Sequence, residues 1–210
     1  MIHLRTVVVS GVLVVIWFTG CVPLIKWKDP IRINEARFMD SSSGATIPEV
    51  LLAQSFTLYT GVATGHASGA MAESARVEEV QVQRSGEPLS LKGGSVIGIW
   101  WAFVAVTGRY SNIGPVIAIA PGYRLGSVKH PWAERAFEPL ALEPLLPQEA
   151  IAELEQINRL LDMDTLAPDD AARLGVQSKQ PVTVQFTQSE RETIRSFVSS
   201  GLSDLQAKVR

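Results

Sequence analysis

The sequence predicts a mainly β chain with an α appendage, a β-sandwich followed by a helical C-terminal segment. Two observations carry that reading. Between Ile31 and Leu142 the apolar residues recur with period two, or in short β-branched and aromatic runs set off by Gly, Pro, Asp and Ser. After Pro147 the spacing becomes that of amphipathic helices. Strands followed by helices argue an α+β arrangement or a sandwich with a helical addition. The expected divisions are a signal peptide over 1–20, a tether over 21–39, a β domain over 40–145 and a helical segment over 146–210.

The chain opens with a short head carrying Arg5, then an uncharged apolar run from Thr6 to Phe18, then Thr19, Gly20 and the only cysteine, Cys21. A basic n-region, an apolar h-region and a small-residue cleavage site make a secretory signal. A plain membrane span satisfies the same residues, because Thr6 to Ile25 is uncharged and Lys26 and Lys28 follow it. Removing 1–20 takes away Arg5 and moves the net charge from −2 to −3. So weak a field makes nucleic acid an unlikely partner. With a single cysteine no intrachain disulfide forms, and the fold must rest on a packed core.

Along the processed chain, Ile31–Ile33 reads as a short strand and Asp40-Ser41-Ser42-Ser43-Gly44 as a turn. Glu49 to Tyr59 is a strand with Val50, Leu52, Phe56 and Leu58 on one side. Gly61 to Ala75, rich in small residues, reads as a loop with a short helix at most. Arg76 to Leu91 reads as a hairpin turning at Arg84-Ser85-Gly86-Glu87. Ser95 to Val106 is a nearly all-apolar buried strand, Gly108 to Gly114 a turn, and Pro115 to Ala120 a further strand closed by Pro121-Gly122. Leu140–Leu142 is one more short strand.

In the tail, Ile151, Leu154, Ile157, Leu160 and Leu161 form one stripe behind Pro147, and Pro168 to Gly175 carries start and stop signals of a short helix. Val182, Val184 and Phe186 suit an edge strand. Thr187-Gln188-Ser189-Glu190 is a capping box opening a last helix, with Gly201 placed to kink or end it.

Two resemblances sharpen the reading. Phe18-Thr19-Gly20-Cys21 resembles the lipobox of bacterial lipoproteins, with Phe18 where an aliphatic residue is usual. It implies cleavage after Gly20, diacylation of the Cys21 sulfur (palmitate being a typical chain) and acylation of the new amino terminus. Val22 is not the Asp that retains some lipoproteins at the inner membrane, which implies the periplasmic face of the outer one. The second covers 44–125. Gly44-Ala45-Thr46-Ile47-Pro48-Glu49-Val50, the segment Val80 to Leu91 and Pro115 to Arg124 resemble the carboxypeptidase regulatory-like domain, a small transthyretin-like (Ig-like) β-sandwich. Arg84 and Ser85 replace that family's acidic turn, and Pro88-Leu89 its aromatic.

Chemistry is sparse. His66 and His130 are the only histidines after residue 20, and no HExxH, CxxC or GxSxG spacing is present. No metal, cofactor or catalytic residue is expected. Tyr123-Arg124-Leu125-Gly126-Ser127 is similar to the terminal Tyr-Arg-Gly-Ser of hydroxyisourate hydrolases, but Leu125 interrupts it and 83 residues follow. The plainer reading is a Pro-Gly turn with Tyr123 packed and Arg124 solvated. Of the adjacent Trp100 and Trp101 only one can face a core, and the helical tail, a partner or solvent must meet the other. Tail packing is preferred there, because apolar helix stripes need a surface to cover.

The expected function is that of a bacterial cell-envelope lipoprotein with a non-catalytic binding or structural role. Its membrane contact would run through acylated Cys21, its other partner being an envelope protein or a glycan. The candidate binding surface comprises His66, Trp100, Trp101, Tyr123 and Arg124. The competing expectation is a periplasmic hydrolase or carbohydrate-binding accessory using the His66/Glu73 loop or the Trp100-Trp101 surface.

Overall fold

The computed structural model describes residues 21–27, 29–64, 71–101, 105–129, 131, 137–174 and 180–209. The expected signal peptide lies outside the described residues, as do His66, His130 and Trp132. In chain order the strands are β1 (Cys21–Trp27), β2 (Ile31–Ile33), β3 (Phe38–Asp40), β4 (Glu49–Thr64), β5 (Met71–Arg84) and β6 (Leu89–Leu91). Then come β7 (Ser95–Trp101), β8 (Ala105–Ile119), β9 (Gly126–Val128) and β10 (Leu140–Leu142). The C-terminal part holds α1 (Pro147–Leu161), β11 (Thr165–Leu166), α2 (Pro168–Arg173), β12 (Val182–Gln185) and α3 (Gln188–Val209). Mixed sheet with C-terminal helices agrees with the coarse expectation of a mainly β chain with an α part.

The main sheet has the order β1-β7-β8-β4-β5-β12-β11, with β9 added to β8. All its ladders are antiparallel except β12 on β5. β4 and β8 lie at its centre, and their segments 50–56 and 116–119 are buried. On one face Leu51, Ala53, Ile117 and Ile119 pack with Leu154, Ile157 and Leu161 of α1 and Ile194, Val198 and Leu205 of α3. On the other face Val50, Leu52, Val116 and Ala118 pack with Phe38, Leu89, Leu91, Phe137 and Leu142. Those partners come largely from two small ladders, β2–β6 and β3–β10, which form a second β layer. The order is helices, sheet, short strands.

Several expectations need correction. Gly61 to Ala75 is not a loop with a helix: β4 continues to Thr64 and β5 begins at Met71. Small residues disfavour a strand only weakly, and here a ladder on each side of β4 decides. Gly108 to Gly114 is not a turn but the interior of β8. Its Gly-Pro signal belongs to a bulge. Gln54 pairs with Val116 and Phe56 with Ile113, so Gly114 and Pro115 together oppose Ser55. Pro, lacking an N–H, is tolerated at such a site. A Cβ on Gly114 would lie 2.9 Å from the Ser55 carbonyl oxygen, which explains the glycine.

The turn after β5 forms, with Gly86 at φ +92° and the Gln83 side-chain amide donating to the Arg84 and Glu87 carbonyls at 3.2 Å. It does not close a hairpin ladder. β6 leaves for the second layer and pairs with β2. The stretch 21–39 is no free tether either. β1 pairs along β7, and Phe38 is fully buried. β12 is not an edge, since β11 continues the sheet beyond it. The helical segment is therefore joined to the sheet by a parallel ladder and a shared core.

Local signals hold well in the helices. α1 starts at Pro147, and the Glu149 carboxylate accepts the Leu146 N–H at 3.3 Å. The capping box of α3 is complete: Thr187 N–H donates to Glu190 at 2.8 Å, and Glu190 N–H to the Thr187 hydroxyl at 3.3 Å. Gly201 does not end α3, which runs on to Val209. Its role is close approach, for a Cβ there would stand 2.5 Å from Pro121 Cγ.

That contact makes a test. Helix propensity alone favours Gly201→Ala by about 1 kcal/mol. Overpacking against Pro121 reverses the sign, with a net destabilisation of about 1–2 kcal/mol expected from urea unfolding midpoints. A stabilised variant would show that helix and turn are not in contact.

Candidate functional site

The candidate residues fall at two ends of the main sheet. At one end β8 finishes in the turn Pro121-Gly122, where Gly122 takes φ +91° and Tyr123 N–H donates to the Ala120 carbonyl at 3.1 Å. The segment after it is strapped to the start of the tail. Arg124 N–H donates to the Glu143 carbonyl at 2.8 Å and Leu145 N–H to the Gly122 carbonyl at 2.9 Å.

Side chains reinforce the strap. The Arg124 guanidinium pairs with Glu143 at 2.9 Å, both well exposed, so the pair adds little stability. Glu153 of α1, 13% exposed, accepts the Leu125 N–H at 3.3 Å and the Arg173 guanidinium at 2.6 Å. Tyr123 is half-buried beside Asp40. Burial and the Asp40 carboxylate push the phenol above its ordinary pKa, so it stays protonated. One oxygen of Asp40 accepts three bonds within its turn, from Ser42 N–H at 2.8 Å, Ser42 hydroxyl at 2.7 Å and Ser43 N–H at 2.8 Å. The Ser42 and Ser43 bonds hold its carboxyl far below the usual carboxylate range.

Most polar groups in this constellation are engaged by another. The Asp40 oxygen that holds its turn and the paired Arg124 and Arg173 guanidinium groups fasten segments together. Tyr123 packs and Arg124 meets solvent, as the Pro-Gly turn reading expects. Among the described residues no three His, Cys, Asp or Glu side chains gather to hold a metal.

The other end holds Cys21, Trp100 and Trp101. Cys21 is opposite Trp101 and Val22 opposite Trp100 in the β1–β7 ladder, while Trp101 is opposite Ala105 in β7–β8. Ile119 lies fourteen steps along β8 from Ala105. At a rise of about 3.4 Å each, the tryptophan pair and Tyr123-Arg124 are roughly 45 Å apart. Glu73 sits on β5, between the positions paired with Leu58 and Tyr59, so it joins neither end. The expected surface of His66, Trp100, Trp101, Tyr123 and Arg124 is thus at least two separate regions. His66 lies outside the described residues.

Two buried polar contacts went unread in the sequence. Gln54 is fully buried and clamps Lys92, its amide donating to the Lys92 carbonyl at 2.9 Å and its oxygen accepting the Lys92 N–H at 3.0 Å. A glutamine on the inward phase of an apolar strand was the available signal. Glu153 gave none, being one carboxylate among several on an amphipathic helix. An open groove of about 540 Å³ lies between β5 and α3, lined by Val82, Thr193, Ser196, Phe197 and Ser200 among others. No family model, curated protein or solved structure matches the chain.

Two measurements check this constellation. Glu153→Ala leaves the Leu125 amide and the Arg173 guanidinium without their carboxylate, and a loss of about 1–3 kcal/mol is expected in chemical denaturation. Asp40 has a depressed folded pKa, so its contribution is full above its unfolded value of about 4 and fades as pH falls below that. The gap in denaturation midpoint between the native protein and Asp40→Asn is therefore expected to be wide at pH 6 and to narrow by pH 3. A gap that widens on acidification would contradict the assignment.

Proposed function

We propose that the chain is a bacterial cell-envelope lipoprotein with a non-catalytic binding or structural role. The observation that carries this is the placement of its only cysteine, after a basic head, an apolar run and two small residues. Acyl chains on Cys21 hold it in the membrane, since each buried methylene contributes about 0.8 kcal/mol and two chains suffice. By the lipoprotein sorting pattern, Val22 favours the periplasmic face of the outer membrane.

The working part is a β-sandwich of the transthyretin-like, carboxypeptidase regulatory-like kind. In support, a second layer of short strands covers one face of the main sheet, and Pro121-Gly122 closes a central strand as in that family's pattern. The mutual engagement of Asp40, Tyr123, Arg124, Glu143 and Glu153 favours a fastening role over a reactive one. Cys21 to Ile25, the end of the alternative membrane span, is strand, and no helix among the described residues is long and apolar enough to cross a membrane.

The test is metabolic labelling with radioactive palmitate. Label is expected on the native chain and none on Cys21→Ser. An unlabelled native chain that retains residues 1–20 would overturn the lipoprotein reading and leave the spanning anchor.

A further inference from the structure

We propose that the Trp100-Trp101 end of the main sheet is itself seated in the interface of a phospholipid leaflet, beside the acyl chains. The inference rests on the lipoprotein reading and extends it from one residue to a surface.

Register brings the parts together. Cys21 is opposite Trp101, Trp101 opposite Ala105, and Ala105 opposite Thr64. Four adjacent strands, β1, β7, β8 and β4, therefore reach one level, and the acyl-bearing residue is at that level. Acyl chains on Cys21 would draw this end of the sheet onto the membrane and leave the Tyr123 end farthest from it.

The sequence at this end suits the position. Residues 50–72 and 93–108 contain no Asp, Glu, Lys or Arg. Charge returns at one depth. Arg109 is opposite Ile97 and Lys26 opposite Val96, while Glu73 lies on β5 near the position paired with Tyr59, itself opposite Tyr110. From Ala105 to Gly108 the uncharged part of β8 is four residues, or roughly 13 Å at a strand rise of about 3.4 Å.

That depth decides the mode of contact. A bilayer core is about 30 Å thick, so the uncharged end is too short to span it. Interfacial elements bury about 5–10 Å, which fits within it. The open sheet agrees. β1 is its last strand on this side among the described residues, and an unpaired strand edge is excluded from hydrocarbon but tolerated where water reaches. Tryptophan is the side chain most at home at that boundary, and two basic positions at the returning-charge level suit anionic headgroups.

The experiment uses the full acylated protein carrying Trp27→Phe and Trp132→Phe, so that Trp100 and Trp101 alone report once residues 1–20 are gone. It is reconstituted into vesicles of phosphatidylethanolamine and phosphatidylglycerol, equimolar, doped with phosphatidylglycerol brominated on its acyl chains. Strong quenching of tryptophan emission is expected. Emission unchanged by the brominated lipid overturns the proposal, even if palmitate labels Cys21. A second arm exports Cys21→Ser behind a signal lacking a lipobox and measures its partition into the same vesicles. Weak binding is expected, lowered about tenfold by Trp100→Ala with Trp101→Ala, since interfacial affinity scales with buried apolar area. Partition indifferent to the tryptophans also overturns the proposal. Absence of palmitate label with both tryptophan effects intact would overturn the lipid anchor alone.

Discussion

The structure depends on burying β4 and β8 from both sides at once. Neighbouring residues along β4 serve different cores: Val50 and Leu52 pack under the short strands, Leu51 and Ala53 under the helices. β8 repeats this with Val116 and Ala118 against Ile117 and Ile119. This part of each strand has no solvent face, so a polar residue on it must find backbone partners, as Gln54 does at Lys92 and Ser55 at the Pro115 carbonyl. It also means the C-terminal helices cannot be a detachable appendage. Without α1 and α3 the face carrying Leu51 and Ile117 would meet water, and the loss would fall on strands that the other core needs too.

A line of irregularities crosses the sheet beside this doubly covered zone. On β8, Gly114 and Pro115 oppose Ser55; on β5, Glu78 is the extra residue between the partners of Gln54 and Ser55. Both neighbours of β4 thus carry one residue more than it does, at the same level. Bulges bend a strand and increase its twist. Placing them together lets three long strands turn as a unit, and no ladder has to break.

What was legible in the sequence was whatever local geometry dictates. Pro147, the Thr187–Glu190 box and the stripe from Ile151 to Leu161 specify helices because caps and periodicity act within a few residues. Pro121-Gly122 specifies a turn for the same reason. Partner choice was not legible. A Gly after Arg84-Ser85 says that the chain turns, but not that β6 then leaves β5 for β2. Gly114-Pro115 asks for unusual backbone, which a bulge satisfies as well as a turn. The candidate site divides likewise: Tyr123 packed and Arg124 solvated followed from the turn, whereas Asp40 and Glu153, far from them in sequence, are contacts made only by folding.

The same distinction bears on how the two sheet ends differ. At the Tyr123 end the polar groups come from the β3 turn, the segment after β8 and helices α1 and α2, so separate parts of the chain must come together before the set is complete. Such a set is suited to holding the strands against the helices, and a ligand would have to displace partners already well placed. At the Cys21 end the ladder register sets the neighbours, each residue facing the next strand across β1, β7, β8 and β4. Backbone pairing of this kind constrains the identity of a side chain less than a polar contact between distant segments does.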